Sequence, residues 1–238
     1  PRLQQYLQTS YGLAPFAIAL GIVIALPVEA ATIQRYQQQD RSLTIVLEDS
    51  VPTAQRGDVL RWLHETADSM ASAFGYWPRR QWQVTVSGHA ANGSDPVPWA
   101  QVNRGNPDTV TFYIDAAADY QTLVSDWTGY HEFAHLLIPY RGWGDMWFSE
   151  GLASYYQNLL QVRHGVMDEE TMWQRLYAGF VRGRDNKRPD ITLAALSPIM
   201  REQRSYMRVY WSGAWYFFKA DIELRQRTQG EQNLDTAL

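Results

Sequence analysis

The stretch Gly129–Tyr140, "GYHEFAHLLIPY", sets two histidines four residues apart with a glutamate directly after the first. On an α-helix four residues turn the chain by about 400°, so His131 and His135 lie nearly above one another. They can therefore offer two imidazole nitrogens to one ion. Glu132 stands about 100° further round, beside such an ion rather than under it. That position suits a carboxylate that takes a proton from a metal-activated water. The chain has no cysteine. Disulfides, thiolate catalysis and sulfur-bound zinc are thereby excluded, and a metal must be held by His, Asp or Glu.

A catalytic zinc takes three protein ligands and keeps a further position open. Glu150, on the next expected helix across a Gly-containing turn, is the first candidate for the third ligand. On spacing alone Asp145, in the connecting loop, and Glu169 and Glu170, beyond that helix, remain alternatives. The structural alternative for the whole motif is a helix with one exposed and one buried histidine.

These residues must be positioned by the elements around them. "LTIVLE" (43–48), Trp82–Val86 and Thr109–Asp115 read as strands, from β-branched runs and period-two alternation. After Pro52, Val59, Leu60, Leu63, Ala67 and Met70 fall at helical spacing, with Thr53 as the expected cap and Gly75 as the stop. Residues 89–108 are rich in Gly, Pro, Asn and Asp and read as loop. One helix is expected over 123–138, ended by Pro139, and a second from Met146 to near Gly165. A third starts around Asp168, and two more helical stretches occupy about 198–227. Strands first and helices afterwards imply an α+β domain.

Composition narrows the partners. The 238 residues carry a net charge of -4 and a pI near 5.7, with Lys and Arg scattered. No basic field for a nucleic acid results, and no nucleic-acid partner is expected. Ten Trp and 14 Tyr can fill a core or line a cleft for a polymer. Leu13–Leu26, "LAPFAIALGIVIAL", is an uncharged apolar run, short for a membrane span but suited to a signal-peptide core. Ala30, with Val28 at −3, is the expected cleavage point, although only Arg2 is basic before the run. Residues 1–31 are therefore expected to be a signal peptide or an uncleaved membrane anchor, and 32–238 the functional domain. Export, to a periplasm or outside the cell, or membrane association through that segment, follows from this expectation; a buried core helix is the alternative. The missing initiator Met, and the closing "NLDTAL", which reads as the opening of a helix, suit part of a longer chain.

"HEFAH", then "DMWFSEGLASYY", then "VYWSGAWYFFKADIELRQRT" resemble the catalytic core of the gluzincin metallopeptidases. The resemblance covers about 123–238 and is strongest to the glycyl aminopeptidase and zinc aminopeptidase branches. It implies a thermolysin-like zincin domain, a small mixed sheet followed by a mainly helical lobe. It also implies one Zn²⁺ and a peptide or protein substrate. The group's W-x-x-E-G-x-x-x-Y motif falls on Trp147, Glu150, Gly151 and Tyr155, which implies Glu150 as the third ligand. Its Y-x-x-G motif falls on Tyr210 and Gly213, which implies that Tyr210 donates a hydrogen bond to the oxyanion; Tyr206, one turn earlier, is the alternative.

Three departures accompany the resemblance. Fourteen residues separate His135 from Glu150, fewer than in the well-known aminopeptidases. No G-x-M-E-N string, whose Glu captures a substrate amine there, precedes His131. Ser154 stands where thermolysin-like relatives place an Asp that orients a zinc histidine. The expected function is zinc-dependent peptide hydrolysis with Glu132 as general base, endo- or exopeptidase being open. A zinc-stabilised peptide-binding scaffold with little turnover is the alternative. His64, His89 and His164 lack ligand spacing. Arg201, Arg204 and Arg208 form a stripe expected to be solvated, or to hold one arginine for a peptide carboxylate. Trp127, Trp143 and Trp147 are expected to pack first and wall the substrate second.

Overall fold

The computed structural model describes residues 30–90 and 95–238. The apolar run at 13–26, and the signal or anchor reading placed on it, lie outside the described residues, as does part of the Gly/Asn loop. Among the described residues no helix is long and apolar enough to cross a membrane.

A five-stranded mixed sheet comes first. Strands β1 (Thr32–Gln38), β2 (Arg41–Leu47), β3 (Gln81–His89), β4 (Trp99–Asn103) and β5 (Asp108–Asp115) are arranged in the order β1-β2-β3-β5-β4. β2, β3 and β5 are parallel neighbours, while β1 and β4 pair antiparallel at the two edges. Successive side chains of a strand point to opposite faces. Leu43, Ile45, Leu47, Trp82, Val84, Val86, Val110, Phe112 and Ile114 accordingly form one fully covered apolar face. Helix α1 (Thr53–Phe74) carries the β2–β3 crossover and lays Val59, Trp62, Leu63, Ala67 and Met70 in the same core. The opposite face holds Thr44, Gln83, Thr85, Thr109 and Thr111, which are only half-buried. The sheet thus has helices on one side, and the fold is α+β.

Several boundaries differ from expectation. The supposed loop contains β4, a five-residue strand with polar Gln101 and Asn103 and no fully buried residue. Its pairing from Trp99↔Tyr113 to Asn103↔Thr109 makes it a strand. β1 is equally polar and edge-placed. Thr53 does not cap α1: it is the first helical residue, and Pro52 precedes it without a side-chain cap. Gly75 does end the helix, at φ 77.

The single helix expected over 123–138 is three pieces: α2 (Tyr120–Ser125), α3 (Thr128–Ala134) and a 3-10 turn over His135–Leu137. Asp126 divides them, its Oδ1 accepting the Thr128 N–H at 2.8 Å to cap α3. A 3-10 turn at Trp143–Asp145 leads into α4 (Met146–His164), which ends at Gly165, φ 80. α5 (Glu169–Asp185) begins at Asp168, which caps Thr171 N at 2.7 Å. Then come α6 (Leu193–Leu196), a 3-10 turn at Ser197–Ile199, α7 (Tyr206–Arg227) and α8 (Leu234–Ala237). Arg201 and Arg204 precede α7, so the arginine stripe is not one helical face.

Close backbone approach seats the helical lobe. A Cβ on Gly151 would lie 2.5 Å from the Gly213 Cα, and one on Gly213 only 2.1 Å from the Trp147 carbonyl oxygen. α4 and α7 therefore cross where neither has a side chain. The chain end is tied down by buried polar groups: Tyr155 Oη donates to Asp221 at 3.0 Å, and Asp221 accepts the Leu234 N–H at 2.7 Å.

Candidate metal centre

Two short elements bring the cluster together. α3 presses Gly129 against Trp62 of α1; a Cβ there would come within 2.9 Å of the indole. That contact turns His131 and His135 toward α4. His135 sits at the α/3-10 junction with φ -58 and ψ -24, still right-handed helical, so the four-residue stacking survives the end of α3. Glu150, in the second turn of α4, points back at both. Its Oε2 is 3.2 Å from His131 Nε2 and 3.5 Å from His135 Nε2. One donor atom from each of the three residues lies within 4.8 Å of the others. All three side chains are buried, at 4%, 8% and 7% exposure.

The other ring nitrogens are occupied. His131 Nδ1 is 2.8 Å from Gln157 Oε1, and His135 Nδ1 is 3.0 Å from Ser149 Oγ. With a proton on Nδ1, each imidazole turns a lone pair at Nε2 toward Glu150, which fits a ligand role. Two imidazoles and a carboxylate, with further space in front, form a donor set suited to zinc. Burial alone would raise the Glu150 carboxyl, but the two imidazoles outweigh it and hold Glu150 well below the usual carboxylate range. Burial works against a charged His131, yet the adjoining Glu150 carboxylate raises it.

Asp145, Glu169 and Glu170, the alternatives on spacing, are not in the cluster. Gln157 and Ser149 were not foreseen. Gln157 lies seven residues after Glu150, two turns along the same face of α4, and that period is the signal the sequence offered. Ser154, between them, is itself buried. The orienting oxygen sits one turn beyond Ser154 and comes from the Gln157 amide.

Glu132 is half-buried and lines a cleft of about 450 Å³ with the three cluster residues. Burial pushes its carboxyl up, outweighing the two imidazoles and a backbone hydrogen bond from Val102. Strand β4 forms one wall of the cleft, and Tyr140, Trp143, Arg201 and Tyr210 form the rest of its rim. The Tyr210 ring stacks over His131 at 6.0 Å and 14°. Burial, reinforced by the Glu150 carboxylate, raises Tyr210 far above the ordinary phenol value, so its hydroxyl keeps its proton. Tyr206 is 37% exposed and is not among the cleft-lining residues.

The tryptophans divide. Trp143 and Trp127 are exposed walls, the latter in a second lobe of about 540 Å³ that shares His131 and Tyr210 with the first. Trp147 packs against Phe148 and Tyr216. His64 stacks on Tyr36 with centroids 4.1 Å apart, and His164 Nδ1 lies 2.6 Å from Tyr130 Oη. Both are structural.

Comparison with known proteins bears on the fold and on part of the chain. Residues 142–208 match the M61 glycyl aminopeptidase family. No curated protein matches. Among solved structures, an aminopeptidase N family protein from Idiomarina loihiensis aligns with a TM-score of 0.58 at 17% identity, over 86% of this chain and 39% of that one. An M1 zinc metallopeptidase from Deinococcus radiodurans aligns with a TM-score of 0.46 at 19% identity, over 84% of this chain and 40% of that one. The chain therefore spans about two fifths of the length of these structures. The chain thus shares its fold with the Idiomarina protein, and the M61 match covers α4 and the following segment, including Glu150 of the HExxH…E donor set.

Proposed function

We propose that the chain is a zinc-dependent peptidase in which His131, His135 and Glu150 hold one ion and Glu132 acts as general base. The observation that carries this reading is the convergence of three buried donor groups, with the Glu132 carboxylate outside that cluster but lining the same open cleft. Bound zinc supplies Lewis-acid chemistry, acidifying a water and polarising a carbonyl. Glu132, raised by burial, takes the proton from the attacking water and returns it to the leaving amine. The protonated Tyr210 hydroxyl donates to the oxygen on which negative charge develops.

Edge strand β4 supports a peptide substrate. Its side away from β5 faces the cleft, and Val102 already donates its N–H to Glu132. Ala100, two residues back, presents its main-chain groups on the same edge. An extended peptide can add there as a further strand.

The test is Glu132→Gln on zinc-loaded protein against a peptide library. Turnover is expected to fall about 10²–10⁴-fold while metal content is kept. A wild-type protein that binds peptides and never cleaves them would be the scaffold instead. Export through residues 13–26 belongs to the same proposal, and N-terminal sequencing of the protein recovered from its host tests it.

A further inference from the structure

We propose that Arg201 selects substrates by a carboxylate, an acidic side chain or the C-terminus of the peptide lying in the cleft. The inference rests on the peptidase reading of the same site and names the substrate class that site prefers.

Two guanidinium groups line the cleft. Arg104 is committed: it pairs with Asp108 at 3.4 Å and donates to the His135 carbonyl at 2.6 Å. Arg201 is not. Among the described residues it has no carboxylate at ion-pair distance, and its guanidinium lies over the Trp143 ring at 4.8 Å. Trp143 is 54% exposed and is held in the 3-10 turn that leads into α4. Stacking fixes the plane of a guanidinium and leaves its N–H edge free for a bidentate pair with a carboxylate.

The remaining charges of the cleft point the same way. Its lining contains two acidic side chains: Glu150, which belongs to the donor cluster, and Glu132, which lies beside the two imidazoles. β4 offers Gln101 and Asn103 rather than a carboxylate. No further carboxylate of the lining is left to hold a substrate ammonium, whereas a substrate anion has Arg201. Arg201 lies at the exposed rim, so its effect should weaken with salt.

The test uses peptide pairs that differ only as Asp/Asn, as Glu/Gln, or as C-terminal acid/amide, assayed with the zinc-loaded full chain. Wild type should favour the acid member about tenfold in kcat/KM. The kind of pair that shows the preference distinguishes side chain from C-terminus. Arg201→Gln should bring the acid members down to the amide members, and Arg201→Glu should invert the order. Equal wild-type rates within every pair, or a preference that survives Arg201→Gln, overturns the inference.

Calorimetric binding of the same pairs to zinc-loaded Glu132→Gln protein, with and without Arg201→Gln, separates the two readings. Acid-selective binding that depends on Arg201, without any wild-type cleavage, sustains the role of Arg201 and sinks the peptidase. Cleavage without acid preference does the reverse, and neither binding nor cleavage sinks both.

Discussion

Each imidazole of the cluster depends on one polar neighbour, and both neighbours sit on α4 beside or below Glu150. Replacing Gln157 or Ser149 by Ala removes the acceptor at Nδ1 and frees the ring to rotate or change tautomer. Each change is expected to weaken zinc about 10–100-fold, measured by competition with a chromogenic chelator, while the fold persists by circular dichroism. Tyr210→Phe keeps the ring over His131 and deletes only the hydroxyl. It should lower kcat by about 10²-fold with little change in KM or zinc content. An equal loss in KM would reassign Tyr210 to ground-state binding. At this scale the sequence was informative: His131, Glu132, His135 and Glu150 stand together in one cleft. Gln157 was legible only through its seven-residue spacing from Glu150, because a neutral amide carries no chemical signature until a histidine is seen against it.

The elements hold these side chains through contacts that tolerate little. Gly151 and Gly213 face each other where α4 crosses α7. Alanine at either position puts a Cβ into backbone, so the helices must separate. The expected cost is about 1–3 kcal/mol, read as a lower urea midpoint. Because Tyr210 is carried by α7 and Glu150 by α4, kcat should fall with it. Unchanged stability in both variants would mean the crossing is looser than described. Asp126 caps α3 at its first turn, and Asp126→Ala should cost about 1 kcal/mol. The helix break at Asp126 was hidden in the sequence because the apolar spacing runs straight through it. β4 was hidden for another reason: an edge strand with alternate residues in water needs main-chain partners, and those belong to β5, a segment further along the chain.

Across the molecule, α1, α3 and the end of α4 meet at a partly buried polar contact that carries a pH dependence. Tyr130 is fully buried behind the HExxH segment, and its hydroxyl meets His164. Burial lowers the His164 pKa below 6.5, outweighing the Glu65 carboxylate 3.8 Å away. The unfolded chain therefore binds a proton at higher pH than the folded one. The stabilisation is complete above about pH 6.5 and declines as the pH falls from there toward the folded value. The stability difference between wild type and His164→Gln should shrink from pH 7.5 to pH 5.5, followed by denaturant melts of zinc-free protein. A constant difference would exclude His164 as the titrating group.

What the sequence by itself determined is chemistry fixed by local spacing: a four-residue histidine pair, a carboxylate beside it, and an absence of sulfur that leaves nitrogen and oxygen as donors. Local spacing also set the α+β order, since strand and helix periods are properties of short segments. The tertiary structure decided that Glu150, rather than Asp145, Glu169 or Glu170, completes the cluster, which amide and hydroxyl orient the rings, and which cleft arginine has no ion pair among the described residues. Those outcomes depend on distances between segments far apart in the chain, which helix crossings and sheet pairing set and no short-range pattern encodes.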